Sequence, residues 1–523
     1  MVDILIKNGL VFLNGKEFRE VNVGVLGDKI IILNEKENIE AVKIINAENK
    51  IVSPGFIDMH SHDDFALIFQ SPYLPKTYQG VTTEITGNCG ISGAPLGKGT
   101  EYFLSTNSAV IGEIKDKNKW ENWNEFIEQL ERAPLPLNVV PFVGHGNLMS
   151  VFSEGKIHLE EKNLKIVQQK LIEIMESGCF GLSTGLIYVP GMFSTTEELI
   201  SLTKIISKFG GIYSSHIRGE GKTLIEAVGE VNKIVEETGV SAEISHLKAA
   251  GIKNWNKIDK VIEIIEKQNN INFDVYPYIA SSTHISALLP PFIKKSNDIF
   301  SDLQNKEIRE KVKKAMLEED DWENYILSCG PEKIFINSVI SEKNKEIEGK
   351  NLKTISDIRN KDVFDCVIDI FVEEKGRAGI ITFSMSEENV KKLIKHKKGL
   401  IGTDGLPGKH PHPRLYGTFP RILNKYVRDE KLLSLEEALY KFTKGPAEKI
   451  GLKRRGEIKD NYFADIVIFD PEKVKDKNTF ESPEIQPEGI LYVIVNGEIE
   501  VEDGKFTGKT GGKVLKKNKF SIF

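Results

Sequence analysis

The central part of the chain repeats one unit, a short apolar segment that ends in Gly, Ser, Thr, His or Cys and is followed in most cases by a helix-patterned stretch. The stretches 158–178 and 226–239 are examples of the latter, with apolar residues at helical spacing and a closing Gly. Alternating strands and helices predict an α/β fold, either a (β/α)8 TIM-like barrel or, as the alternative, a doubly wound parallel sheet. The eight strand-like segments that favour the barrel are 53–62, 80–90, 138–146, 178–185, 211–221, 241–251, 271–278 and 399–405.

The two ends of the chain differ from the centre in their predicted secondary structure. Both consist of short alternating strands separated by Asn-Gly and Gly-Asp turns, such as the turn at Asn496–Gly497. We therefore predict that residues 1–52 and 453–523 fold together as one small β-sandwich domain, beside a barrel domain of residues 53–452.

One interval of the central part lacks the repeated strand–helix unit. Residues 289–379 are rich in charged side chains, and the segment is too long for an ordinary loop. The position predicts an inserted subdomain between the seventh and eighth barrel strands, and such a subdomain is a candidate lid.

Net charge and apolar run lengths exclude several classes of partner. The formal net charge is −6 and the pI is about 6.1, which argues against nucleic acid or an anionic membrane as the main partner. No apolar run approaches the roughly 18 residues needed to cross a bilayer, and the first residues lack the pattern of a secretory signal. The sequence leaves the oligomeric state open.

The four cysteines, Cys89, Cys179, Cys329 and Cys366, are widely spaced and form no CxxC pair. We therefore expect no disulfide scaffold and a reducing, cytoplasmic location. Cys89 stands out because it lies on a glycine-flanked turn at a strand's end, within TEITGNCGISGAP. From the residues alone it is a core filler, a catalytic thiolate or a metal ligand.

Imidazoles and a carboxylate recur at the ends of the predicted strands. His60 and His62 are two positions apart on the first strand, so their side chains share a face and can converge on one ion. His216 closes the fifth strand, His246 the sixth and Asp404 the eighth. In a barrel these ends lie on one rim, and this donor set suits Zn²⁺ or another borderline divalent metal. The alternative is that these are unrelated buried polar residues, each hydrogen-bonded to the backbone. That alternative requires such a residue to occur by coincidence at the same end of each strand.

These motifs resemble a known family of enzymes. Together with the terminal strands and the long insertion, they resemble the N-acyl-D-amino-acid deacylases (D-aminoacylases) of the metal-dependent amidohydrolase superfamily, and the resemblance covers nearly the whole chain. The strings that carry it are PGFIDMHSH, GVTTEITGNCG, FVGHG, GLSTGLIYVPG, SHIRGEG, SHLKAAG, DVYPY, ALLPPF and GTDGLPGKHPHPRLYGTFPRIL.

The resemblance implies a zinc site. Many superfamily members bridge two metals with a carboxylated lysine, whereas the deacylase branch has a cysteine on the second strand, at the place of Cys89. By the resemblance, Cys89, His216 and His246 hold one tightly bound zinc ion, and His60 and His62 form a second, weaker site that shares Cys89. A thiolate is stable beside Zn²⁺, because the metal lowers the thiol pKa far below its free value of ~8.5. A nucleophilic Cys89 would instead require a dedicated base.

Asp404 is the expected proton carrier. The resemblance implies that it takes a proton from the attacking water and later delivers it to the leaving amine, as general base and then general acid. Asp404 is also a candidate ligand of the second metal. The alternatives to the proton-carrier role are that it serves only as a metal ligand, or that it caps the end of the strand.

Five further residues are expected to contact the substrate. Lys248 and Arg414 are the candidate cations for the α-carboxylate of an acyl amino acid, and an arginine offers a planar two-donor fork. Tyr188 and Tyr278 could add hydroxyl donors, and His145, which closes the third strand, could support the metal or the substrate. The alternative for each residue is a purely structural role: the lysine and arginine as surface cations, the tyrosines as core aromatics and the histidine as a structural imidazole.

The segment SALLPPF at 286–292 indicates the side-chain preference. Relatives that prefer acidic D-amino acids have an arginine near this segment, but here it is apolar, which favours neutral, hydrophobic D-amino acids. His284 departs from the family pattern, since a small residue is expected at its position.

Three functions are compatible with these residues. The first is a zinc-dependent N-acyl-D-amino-acid deacylase that acts on a small-molecule substrate. The second is a cyclic-amide hydrolase of the same superfamily, dihydroorotase-like or hydantoinase-like, against which the presence of Cys89 counts. The third is a scaffold that has lost its metal, which predicts broken ligands, whereas every expected ligand is present.

Replacing Cys89 with Ala should abolish tight zinc binding, because it removes the only thiolate of the expected ligand set. Elemental analysis of the dialysed protein measures the zinc content, and Cys329→Ala, in the inserted segment, is the control. A Cys89→Ala protein with the zinc content of the unmodified chain would contradict the ligand role.

Overall fold

The structure is a computed structural model of the 523-residue chain. Some residues of the predicted inserted segment, 297 and 319–321, and of the predicted terminal domain, 35–38 and 518–523, lie outside the described ranges. The described residues are 1–34, 39–97, 99–111, 120–152, 161–296, 298–318, 322–408 and 410–517.

Within these ranges, eight parallel strands, called the parallel series below, follow one another in sequence order in two sheets. One sheet contains the first three strands and the other the third to the eighth, because the third strand is interrupted at Phe142. The first strand also contacts the eighth, because the amide of Met59 donates to the carbonyl of Ile401 at 3.2 Å and the amide of Asp404 donates to the carbonyl of His60 at 2.8 Å. This pairing order differs from that of a doubly wound sheet, in which the strand order reverses. The strands are Phe56–Asp58, Val81–Thr86, Asn138–Pro141 with Val143–Gly144, Gly181–Gly185, Ile212–His216, Ser241–Ile244, Ile271–Val275 and Gly399–Ile401.

Helices separate these strands, as the apolar spacing predicts. Glu161–Glu176 lies inside the predicted stretch 158–178, whose first residues are outside the described ranges. Leu224–Thr238 ends at Gly239, which has a φ of 66° and donates its amide to the carbonyl of Val235, an arrangement that favours glycine. The prediction of an α/β fold is confirmed.

The helices of this part of the chain are Ala66–Phe69, Thr100–Thr106, Ser108–Ile111, Trp123–Arg132, His145–Phe152, Glu161–Glu176, Thr196–Lys208, Leu224–Thr238, Ile258–Glu266, Glu387–Lys395, Arg414–Arg421, Leu435–Phe442 and Lys444–Ile450, with 3-10 helices at Thr77–Gln79, Gly191–Phe193 and Ile252–Lys257 and a π-helix at Ile422–Asp429. Among the described residues, no helix combines the length and the apolar composition that crossing a bilayer requires.

The ends of the chain form two further sheets. One contains N-terminal strands, and the other joins both ends of the chain, because Ile466–Phe469 pairs antiparallel with Ile51–Pro54. The first sheet has the order Lys29–Leu33, Asn22–Leu26, Val2–Lys7 and Ala41–Asn46, and the second has the order Lys505–Phe506, Glu498–Glu502, Ile490–Val495, Ile466–Phe469, Ile51–Pro54, Leu10–Leu13 and Glu17–Glu20.

The segment between the seventh and eighth parallel strands contains an antiparallel sheet and its own buried apolar cluster. The sheet begins before residue 289, because its strands are ordered Ser281–His284, Gly379–Thr382 and Ile334–Ser338. The helices of this segment are Ile285–Leu288, Ile293–Lys295, Ile299–Asp302, Lys306–Glu318, Tyr325–Cys329, Pro331–Lys333, Glu342–Ile347, Leu352–Arg359 and Val363–Glu373.

Phe56 packs where the first parallel strand meets the terminal sheet. It is fully buried, and its ring centroid lies 5.6 Å from that of Phe419, 5.1 Å from that of Phe442 and 6.2 Å from that of Phe469. This aromatic cluster therefore joins the strand that precedes His60 to a terminal strand.

Phe56→Ala should lower the free energy of unfolding by about 3–5 kcal/mol, because it leaves a cavity among packed rings. Thermal and urea unfolding measure the change. Val42→Ala is the control, since Val42 is 74% exposed, and an equal loss of stability in both variants would contradict the role of the cluster.

Candidate metal and active site

The structure brings the five predicted ligands together at the carboxyl ends of the parallel strands. Every one of them is buried. Three groups have ligand atoms within 4.8 Å of one another, namely His60, His62 and Cys89; Cys89, His216 and His246; and His60, His246 and Asp404.

A strained turn positions Cys89. Gly87 has a φ of 73°, and a Cβ at that position would lie 2.1 Å from the carbonyl oxygen of Phe142, so only glycine fits. The carboxylate of Asp64 accepts hydrogen bonds from the amides of Gly87 at 3.0 Å and Gly93 at 3.2 Å. Cys89 itself has a φ of 52°, and such conformations cluster at functional sites.

Two imidazoles surround the sulfur of Cys89. Its Sγ lies 3.3 Å from Nε2 of His60 and 3.4 Å from Nε2 of His246. Burial alone would raise the pKa of this thiol, but the charges of His60 and His246 and the nearby imidazole of His216 hold it well below its usual value. A thiolate, the form that binds metals, is therefore favoured at this position.

The donor set fits a divalent metal. Both ring nitrogens of His216, and Nδ1 of His62, are buried without a hydrogen-bond partner among the described residues. A buried unpaired ring nitrogen is costly unless it has a ligand. Thiolate sulfur with imidazole nitrogen is the ligand combination that zinc sites use, so the residues present fit such an ion.

Asp274, which the sequence reasoning missed, orients two of the histidines. One carboxylate oxygen lies 3.2 Å from Nδ1 of His60, and the other accepts a hydrogen bond from the backbone amide of His246 at 2.9 Å. A carboxylate behind a ligating imidazole fixes its orientation and leaves Nε2 to face the ion. The signal was an aspartate inside the apolar seventh strand INFDV.

Asp404 lies between the imidazoles and a guanidinium. Oδ1 is 3.2 Å from Nε2 of His62, and Oδ2 is 2.9 Å from Nη2 of Arg414. Burial alone would raise the pKa of Asp404. The charges of Arg414 and of the neighbouring imidazoles lower it by more, so the pKa of this carboxyl group lies well below its usual value. The carboxylate is thus held ionised, as a proton acceptor requires.

Lys248 lies at the site, but it is paired. Its Nζ donates to Oε1 of Glu220 at 2.5 Å and lies 2.9 Å from Nδ1 of His246, and the same glutamate oxygen lies 3.2 Å from that nitrogen. Burial would raise the pKa of Glu220, but Lys248 and then His216 lower it below its usual value. The sequence reasoning missed Glu220, although it lies in the quoted string SHIRGEG.

A tyrosine other than the expected one faces these cations. The ring centroid of Tyr276 lies 4.5 Å from the guanidinium carbon of Arg414 and 5.9 Å from Nζ of Lys248. Tyr278 lies apart from this group, because its hydroxyl donates to the carbonyl of Pro413 at 3.5 Å. The two tyrosines of YPY, on either side of Pro277, have different surroundings, and the sequence does not tell which of them faces the candidate metal site.

Tyr188 lies at the site and His145 does not join the ligand groups. The ring centroid of Tyr188 is 5.1 Å from that of His216 and 4.9 Å from that of His284. His145 directly follows the third strand, which ends at Gly144, and is the first residue of the helix His145–Phe152. Burial, and then the charge of Arg218, lower the pKa of His145 to about 4, so this imidazole is neutral near pH 7.

The cavity at the metal ligands also includes a residue of the inserted segment. The hydroxyl of Tyr325 lies 3.5 Å from Oε2 of Glu220. The cavity is lined by His62, Cys89, Ile187, Tyr188, His216, Glu220, His246, Lys248, Ser281, Ser282, Thr283, Tyr325, Asp404 and Leu406.

An α/β fold in which a thiolate, imidazoles and an ionised carboxylate meet at strand ends defines a class of metal-dependent hydrolases. Such a site combines ligands for a Lewis-acidic ion with a carboxylate that can move a proton.

Comparisons with known proteins specify the class. The amidohydrolase family model matches residues 43–133 and 351–501. A D-aminoacylase of Alcaligenes xylosoxydans xylosoxydans is 33% identical over 98% of this chain and 97% of the relative. The crystal structure of an N-acyl-D-glutamate deacylase from Bordetella bronchiseptica, complexed with zinc and a phosphonate inhibitor, matches with a TM-score of 0.83 and 29% identity, over 98% of this chain and 99% of that chain.

The chain therefore belongs to the amidohydrolase family, in its D-aminoacylase branch. A structure of an L-hydantoinase from Arthrobacter aurescens is more distant, with 16% identity, a TM-score of 0.53 and coverage of 99% of this chain and 100% of that chain. That likeness concerns the fold alone.

Glu220→Gln should lower the free energy of unfolding of the metal-free protein by about 3 kcal/mol, because it leaves the buried ammonium of Lys248 without its carboxylate. Urea unfolding measures the loss. The control is Glu263→Gln, whose partner Lys260 is exposed, and which should leave stability unchanged. Equal stability of the Glu220 variant and the unmodified chain would show that this pair contributes nothing.

Proposed function

We propose that the protein is a zinc-dependent hydrolase of N-acyl-D-amino acids, which releases a carboxylate and the free D-amino acid. The observation that carries this proposal is the buried group of Cys89, His216, His246 and Asp404 in one cavity. Identity to a D-aminoacylase along nearly the whole chain supports the same substrate class.

The proposed architecture is a closed (β/α)8 barrel of residues 53–452, with a β-sandwich domain of residues 1–52 and 453–523 and an inserted subdomain of residues 289–379. The contact between the first and eighth parallel strands supports closure of the barrel. The contact between Tyr325 and Glu220 supports the insertion as a wall of the cavity and a candidate lid.

For the metal, the proposed ion is zinc. Cys89, His216 and His246 would hold one ion tightly, and His60 and His62 would form a second, weaker site that shares Cys89. The zinc in the related N-acyl-D-glutamate deacylase structure supports this choice. A bound zinc ion would acidify water and polarise the scissile carbonyl.

Asp404 is the proposed proton carrier. Its ionised carboxylate faces His62 on one side and Arg414 on the other, so it can accept a proton at Oδ1. Protonation of the leaving amine by the same group would complete the hydrolysis, because an amine leaves readily only when protonated.

Arg414, Lys248 and Tyr188 are the proposed substrate contacts. Nε and Nη1 of Arg414 are buried without a partner among the described residues, which supports a role in binding the α-carboxylate. The geometry supports Tyr276 as a further contact more than the originally expected Tyr278, and it gives no support to His145.

The proposed side-chain preference is for neutral, hydrophobic D-amino acids. A second cavity of about 720 Å³ adjoins the metal cavity and shares Ile187 and Tyr325 with it. Ala287, Pro291 and Phe292 from the apolar segment 286–292 lie in its wall, and the apolar part of the wall favours apolar substituents. The same wall also contains the charged residues Arg218, Glu226, Glu230, Lys294, Lys295 and Glu323.

The proposed setting is a cytoplasmic enzyme with a small-molecule substrate and neither nucleic acid nor membrane as a partner. The widely spaced cysteines, which are free in the described residues, and the net charge of −6 support this.

Acetate release from N-acetyl-D-methionine and its L-enantiomer, by zinc-loaded protein, tests the function. We expect turnover of the D-form alone, and Asp404→Asn should retain zinc but lose turnover by at least a hundredfold, because general acid–base catalysis typically contributes about 10²–10⁴-fold. N-acetyl-D-glutamate tests the side-chain preference, and hydantoin and dihydroorotate test the cyclic-amide alternative. Failure with both methionine enantiomers, in protein that holds zinc, would overturn the proposed substrate class.

A further inference from the structure

A buried ion-pair cluster lies beneath the segment that carries His60 and His62. Its centre is Lys76, which is 1% exposed. The Nζ of Lys76 lies 2.8 Å from Oδ2 of Asp63, 2.9 Å from Oε2 of Glu84 and 3.2 Å from Oδ2 of Asp58. It also donates to Oγ of Ser61 at 2.5 Å. One ammonium therefore contacts side chains from the first and second parallel strands and from the segment after the first.

The positions of these partners are informative. Asp58, Ser61 and Asp63 alternate with or flank His60 and His62 along the chain. The amide of His60 donates to Oδ1 of Asp58 at 3.1 Å, so the carboxylate that pairs with Lys76 also holds the backbone of a histidine. Ser61, between the two histidines, is bound to Lys76 on one side and donates to Glu84 at 2.9 Å on the other.

The same cluster reaches the turn that carries Asp404. Oδ1 of Asp58 accepts a hydrogen bond from the amide of Thr403 at 2.7 Å, and Oδ2 accepts one from its hydroxyl at 2.7 Å. The hydroxyl of Thr403 in turn accepts from the amide of Gly405 at 3.0 Å. Asp58 thus ties the segment with His60 to the turn with Asp404, and Lys76 offsets its charge in a site away from water.

We propose that Lys76 is a positioning residue for the metal site: it holds the segment 58–63 so that His60 and His62 can share an ion with Cys89. This inference rests on the zinc site of the proposed function. Lys76 lies outside the ligand groups, so its effect on metal binding is transmitted through Asp58, Ser61 and Asp63. Removal of the ammonium would leave buried carboxylates facing one another, and the segment would have to rearrange or bind water.

The test is zinc binding by metal-free protein, measured by competition with a chromophoric chelator, for the unmodified chain, Lys76→Met and His62→Ala. The histidine variant identifies the zinc equivalent that depends on the second site. In Lys76→Met, we expect the zinc ion whose binding depends on His62 to bind at least tenfold more weakly. The affinity for the other zinc ion, which His62→Ala still binds, should change by less than threefold. A general loss of folding would weaken both equivalents together.

Lys441→Met is the matched control. Lys441 is also buried, and its Nζ donates to the carbonyls of His396 and Gly399, at the opposite end of the eighth parallel strand from Asp404. We expect this variant to lose thermal stability without a change in either zinc affinity.

Three results would overturn the proposal: unchanged zinc affinities in a folded Lys76→Met, equal weakening in Lys76→Met and Lys441→Met, or no zinc equivalent that depends on His62. If Lys76→Met does not fold, Ser61→Ala tests the proposal instead, because it removes one contact of the Lys76 ammonium. This variant should bind the His62-dependent zinc ion about threefold more weakly. Unchanged affinity for that ion would also overturn the proposal. Zinc binding needs no substrate, so this test and the deacylase assay can fail independently.

Discussion

The contact between one sulfur and two imidazoles, at Cys89, His60 and His246, is the constraint on which the site depends. The sulfur lies 3.3 Å and 3.4 Å from their Nε2 atoms, and each residue comes from a different parallel strand. Neighbouring strands lie about 4.8 Å apart, so the first and sixth strands can meet only if the series curves round on itself. The contact between the first and eighth strands supports such curvature. The backbone adapts locally, because Cys89, His246 and Asp404 all have positive φ angles, and the surrounding packing must sustain that strain.

Several of the charges buried at the site face a group of opposite sign, and Lys76 is shared by three carboxylates. Asp274 lies behind His60, Glu220 pairs with Lys248, Arg414 pairs with Asp404, and Lys76 pairs with Asp58. A buried ion pair contributes little net stability, but breaking one leaves an uncompensated charge. These pairs therefore act mainly as geometric constraints, which hold the ligands in place before any ion binds.

The α/β fold class and the candidate ligands could be predicted because both depend on local patterns. Helical spacing predicted a helix that the structure places at Leu224–Thr238, with its closing glycine, and polar residues at strand ends predicted that His216 and Asp404 would lie at one site, where both line the same cavity. Glu220 and Asp274 were not predicted. An aspartate inside an apolar strand signals a buried partner, but which imidazole a carboxylate faces depends on its distance from that ring. Tyr276 was missed in favour of Tyr278 for a similar reason, since the direction of each side chain depends on how the strand end bends.

The amino-acid sequence by itself determined the alternation of strands and helices, the set of candidate metal-binding side chains and the family resemblance, because these follow from residue type and spacing along the chain. Only the tertiary structure decided which groups face one another: that Lys248 is paired with Glu220, that Arg414 contacts Asp404, and that Lys76 lies beneath His60 and His62. Electrostatic pairing depends on separations of a few ångströms between residues far apart in sequence. Those separations are set by packing, which spacing along the chain does not encode.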